Sequence, residues 1–149
     1  MTANAWVQFD IFQTKLGAEG HNLNASDTIK MALIDSGWTP NTATDVTFSV
    51  VDGDELATAN GYTAGGATTV ASWTTSAGTT TFDVADVTWT ATDAGITARY
   101  ALLYNASAAG GTNDLIAYCL LDNTPADVTA AAGVDFKVNI HASGVLTLA

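Results

Sequence analysis

The sequence predicts an all-β protein: one antiparallel β-sandwich domain over residues 1–149, jelly-roll-like, with at most one or two short helices. Three observations carry this. Apolar residues recur mostly at every second position. Threonine, whose branched Cβ suits a pleated surface, is abundant at about two dozen residues. Turn-forming residues punctuate the chain about every ten positions, leaving room for about eight strands.

Each element follows from its local pattern. The opening "WVQFDIF" admits two readings: Val7, Phe9 and Ile11 align as a strand, while Phe9, Phe12 and Leu16 share one face of a short helix. "DTIKMALID" alternates, with Ile29, Met31 and Leu33 on one side, and "VTFSV" does the same with Val46, Phe48 and Val50. "DGDELATA", Asp52 to Ala59, reads as a short helix with acids where the dipole favours them. In "TTTFDVADVTWTAT", Phe82 and Val84 share one parity, whereas Val87, Trp89 and Ala91 share the other. A one-residue slip reverses every side chain, so a bulge or tight turn is expected near Ala85–Asp86.

"ITARYALLY" (Ile96–Tyr104) and "DLIAYCLL" (Asp114–Leu121) are apolar on both faces and read as central strands joined by "NASAAGGTN". In "VDFKVNIH", Val134, Phe136, Val138 and Ile140 alternate with polar residues, giving one dry and one wet face. "SGVLTLA" closes the chain as a short strand.

Composition narrows the function classes. Hydrophobic residues make up 48% and charged residues only 13%, which argues against disorder. Fifteen acids face four bases, a net charge of −11. Lys15, Lys30, Arg99 and Lys137 are too few and too scattered to replace the counterions of a nucleic-acid backbone, so no nucleic-acid partner is expected. No window reaches the ~18 consecutive apolar residues of a membrane span, and "MTANAWVQFD" lacks the features of a secretory signal. No membrane partner is expected. The lone Cys119 excludes an internal disulfide and reads as a buried, inert thiol.

The candidate chemistry is sparse. "ATANGYTAGGATT" places Gly61, Gly65 and Gly66 close together, but no lysine follows as a phosphate loop requires, and no strand-then-helix context surrounds them. It reads as a turning loop anchored to the core by Tyr62. Asp52, Asp54 and Glu55 lack the spacing of a calcium loop, and Asp83, Asp86 and Asp93 form a second solvated acidic group. His21 and His141 are too few for a histidine metal site. No catalytic residue, cofactor or metal is assigned. Two residues stand out as contact candidates: Trp38, in the loop "DSGWTPNT" where exposure is expected, and Arg99, the sole arginine, which should pair with a carboxylate. Trp73 and Trp89 fall in strands, where packing is the default. Asn24 and Asn105 match the glycosylation pattern by chance.

Beginning with "DTIKMALIDSGWTPNTATDVTFSVV", the blocks "DELATANGYTAGGATT", "TTFDVADVTWTATDAGITARYALLYN", "LIAYCLLD" and "FKVNIHASGVLTL" follow in order. From about Asp27 onward the chain resembles a family of small structural proteins of tailed bacteriophages. The resemblance implies a virion component with no catalytic motif. The leading expectation is a capsid decoration (cement) protein on the capsid exterior, binding the major capsid protein lattice and assembled in the host cytoplasm. By analogy it would be a homotrimer. The alternative is a tail or fibre component that binds a carbohydrate receptor through Trp38 or nearby loops.

Overall fold

The computed structural model describes residues 3–18, 20–23, 26–107 and 112–149. Asn24 and the middle of the Asn105–Asn113 connection lie outside these residues. The fold is all-β and antiparallel, with one α-helix.

The first strand, β1 (Val7–Gln8), gives way at once to helix α1 (Asp10–Gly17), so the opening segment takes both forms in succession. Asp10 opens the helix and Lys15 lies in its last turn, each matching the dipole. Strand β2 (Ile29–Ile34) is followed by irregular chain, then β3 (Ala67–Thr69), β4 (Ala71–Ser76), β5 (Thr79–Val84) and β6 (Val87–Thr90). The rest comprises β7 (Ile96–Ala98), β8 (Tyr100–Asn105), β9 (Asp114–Leu120), β10 (Val128–Ala130), β11 (Asp135–Val138) and β12 (Leu146–Leu148).

One layer is a five-stranded sheet ordered β1-β9-β8-β2-β3. Facing it are three smaller ladders, β12-β5-β4, β11-β6 and β10-β7. At three points the chain passes from one ladder to the next within one or two residues: Val70, between β3 and β4; Ala85–Asp86, between β5 and β6; and Arg99, between β7 and β8. The expected break in phase at Ala85–Asp86 is therefore a passage between ladders, with Phe82, Val84, Val87 and Trp89 all buried.

The main core lies between the layers, where Met31, Leu33 and Leu103 meet Phe82, Trp89, Ile96 and Phe136. A second core covers the opposite face of the five-stranded sheet: Ala32, Ile34, Leu102, Tyr104 and Leu115 pack under Phe9, Trp38, Phe48 and Val51. β8 and β9 are covered on both faces, as their composition predicts. β2 is likewise doubly covered rather than half wet. Each fully buried side chain of this size contributes ~1.5–3 kcal/mol. Between Leu103 and Tyr104 the β8–β9 register skips Ile116, a bulge that lets the consecutive Ile116 and Ala117 both face the main core while Leu115 faces the second.

Two short elements differ from expectation. "VTFSV" is a single bridge at Thr47 followed by a 3₁₀ turn, Phe48–Val50, with Val46 and Val50 exposed. Only Phe48 is anchored, stacked 4.2 Å from Tyr104, so an alternation of three residues lacked a second ladder to hold it extended. The "DGDELATA" helix is reduced to a 3₁₀ turn, Asp52–Asp54. Glu55 is extended because its backbone bridges Ile34 and its carboxylate is used elsewhere.

Candidate functional site

The glycine loop satisfies its own polar groups. Glu55 Oε1 accepts the Tyr62 hydroxyl at 2.6 Å and the Gly65 amide at 2.6 Å, while the Tyr104 hydroxyl donates to the Gly65 carbonyl at 2.7 Å. Tyr62 is buried against Trp89, and its oxygen accepts the Leu33 amide at 3.1 Å. Burial, then the bond to Glu55, pushes the Tyr62 hydroxyl far above its ordinary pKa of 10. Burial and Glu55 push Tyr104 up to about 12. Gly61, Gly65 and Gly66 all take positive φ, as a turning loop requires. The Gly65 amide, which a phosphate cradle would aim at its ligand, is instead spent on Glu55.

Trp38 is not an exposed platform. It is 6% exposed, lying edge-on to Tyr100 and Tyr118 at centroid distances of 5.2 and 5.4 Å. Its Nε1–H donates to Asp45 Oδ2 at 3.2 Å, and the same oxygen accepts the Asn41 amide at 2.9 Å. The physical reason is the bare outer face of the five-stranded sheet: the 35–45 segment folds over it, and an indole is the largest apolar cover available.

Arg99 does not lie within a strand but at the break between β7 and β8. Its Nε donates to Asp127 Oδ1 at 2.6 Å, fulfilling the expected carboxylate pairing. Trp38 and Arg99 are thus each engaged within the fold, by Asp45 and Asp127 respectively. The acids are dispersed: Asp86 accepts the Ile140 amide at 2.8 Å and pairs with Lys137 at 3.1 Å, which together hold it below the usual carboxylate range. Among the described residues no three potential metal ligands cluster.

His141 is exposed and accepts the Ser143 amide. His21 belongs to a buried polar knot. Asn105, 0% exposed, uses Oδ1 to accept the Ser107 amide and hydroxyl, so its Nδ2 faces His21 Nδ1 at 2.9 Å and Asp27 Oδ2 at 2.6 Å. Nearby, Lys15 Nζ lies 3.2 Å from the buried Asp114 carboxylate. Burial lowers the His21 pKa below 6.5, opposed by Asp114 and Asp27.

A cleft of about 790 Å³ lies between the arm Asn4–Trp6 and the segment Phe136–Val145. Cys119 and Leu121 line it, with Lys137 and His141 also on its walls. Cys119 is buried, donates to the Asn4 carbonyl at 3.1 Å, and has its thiol pushed up to about 11 by burial. The cleft is mainly apolar and lacks a converging nucleophile and base. Its walls come from opposite ends of the chain, so no local pattern could reveal it. In the parity of "VDFKVNIH", Phe136, Val138 and Ile140 pointed toward a shared apolar surface.

Compared with protein-family models, with curated proteins and with solved structures, the chain matches none.

Proposed function

We propose that this chain is a structural component of a tailed-bacteriophage virion, a decoration protein that binds the outside of the major capsid protein lattice and stabilises the head. The ordered sequence blocks from about Asp27 onward suggest the family. The structural observation that supports the reading is how polar chemistry is distributed. Lys15, Arg99 and Lys137 are paired with Asp114, Asp127 and Asp86, and no set of ionisable groups converges in the cleft. What remains outside is an acidic surface interrupted by uncharged β-structure, since no charged residue lies between Glu55 and Asp83.

An acidic exterior does not compete for packaged DNA, and uncharged strands offer low-desolvation contact area. Each contact would gain ~25 cal/mol per Å² of apolar surface buried. Repetition over a lattice multiplies the effect through avidity. The alternative tail role, with carbohydrate bound through Trp38 or nearby loops, loses Trp38 as an exposed contact. The test is heat: particles lacking this chain should release DNA at a lower temperature than complete particles, and equal release temperatures would refute cementing.

A further inference from the structure

The three-stranded ladder has an open edge. β4 lies outermost in β12-β5-β4, and its far side has no strand partner among the described residues. The Ala85 amide donates to the Val70 carbonyl at 2.9 Å, which fixes the alternation of the ladder. Even-numbered residues of β4 therefore bond to β5, and the backbone groups of Ala71, Trp73 and Thr75 point outward. The β4–β5 hairpin closes through Ala77 and Gly78, at φ 48° and 83°, and every β4 residue beyond Trp73 is exposed.

Exposed edges are ordinarily blunted by charge, proline or a bulge. β4 has none of these, and its pairing with β5 is continuous over six residues. It also lies within 56–82, the longest uncharged run of a chain carrying −11. Two copies of so acidic a chain repel wherever their carboxylates meet, and this edge carries no charge of its own, with Asp83 one strand away on β5.

We infer that β4 pairs antiparallel with β4 of a second copy about a two-fold axis through Trp73, making one continuous six-stranded sheet. In this register Ala71 and Thr75 of opposite copies exchange backbone bonds, as do the two Trp73 residues. Ser72 meets Thr74 of the second copy in the close, non-bonded pairs. The half-buried Trp73 rings become mutual cover, and the neighbouring Val70, 77% exposed, lies beside the seam. Head-to-tail joining of β4 to β12, the route to a ring of three, engages only the three residues of β12. The inference rests on strand geometry and charge, independently of the head-decoration reading.

Sedimentation equilibrium of the full chain should give a two-chain mass. Thr75→Pro removes an outward amide and the exposed Thr75–Thr80 hydroxyl bond but no backbone bond to β5, and should weaken association at least ~50-fold with an unchanged circular dichroism spectrum. Under mild oxidation, a Ser72→Cys copy mixed with a Thr74→Cys copy should cross-link far more than either copy alone, and this decides the matter if Thr75→Pro fails to fold. A one-chain or three-chain mass, full association in folded Thr75→Pro, or no preference for the mixed pair would each overturn the inference.

Discussion

The Tyr62 hydroxyl lies 2.6 Å from Glu55 Oε1 and accepts the Leu33 amide at 3.1 Å, so one buried ring ties the glycine loop both to a carboxylate and to the central strand β2. Tyr62→Phe keeps the ring but leaves the Leu33 amide unpaired. It should cost about 2 kcal/mol, read as a lower urea midpoint at unchanged slope.

His21 makes stability depend on pH, and the sign follows from its partner. Asn105 turns an N–H₂ toward Nδ1, so a proton added there would face a donor. The folded-state pKa lies below 6.5 because of burial, with Lys15 adding to the depression and Asp114 and Asp27 opposing it. The unfolded chain thus binds more protons, and the contribution of His21 is full above 6.5 and is lost as pH falls through the folded-state value. His21→Gln should flatten the decline in stability as pH falls below 6.5. An equal decline in both proteins would rule out this origin.

Trp38 should behave as a core residue. Trp38→Ala removes the indole from between Tyr100, Tyr118 and Phe9, and should cost about 3–5 kcal/mol. Tryptophan fluorescence should show no saturable change at this residue on titration with glycans. A Trp38→Ala protein of native stability would mean the ring is not packed as described.

Two glycines should respond in opposite ways. A Cβ on Gly66, at φ 67°, would drive into the Met31 carbonyl oxygen, so Gly66→Ala should cost about 3 kcal/mol. A Cβ on Gly53 meets nothing within 4 Å, so Gly53→Ala should stay within about 0.5 kcal/mol of wild type. Thermal melting of the two variants side by side checks the contrast.

The sandwich was legible where a pattern was long or contradicted itself. Parity along Val134–Ile140 marked a strand, two-sided apolarity marked β8 and β9, and the clash between Phe82 and Val87 located a passage between ladders. Short patterns misled, because three alternating residues at Val46–Val50 fit a bridge and a 3₁₀ turn as well as a strand. Trp38 was misread for a different reason. Its loop composition describes the backbone, whereas its burial depends on Tyr100 and Tyr118, far along the chain, and on a sheet face that needed covering. The cleft between Asn4–Trp6 and Phe136–Val145 was invisible on the same ground.

The central claim, attachment to the outside of a phage head, is tested most directly by a density map of the intact particle. This β-sandwich should occupy the outer surface of the head lattice in many symmetry-related copies. Density for it confined to the tail, or absent from the particle, would contradict the account.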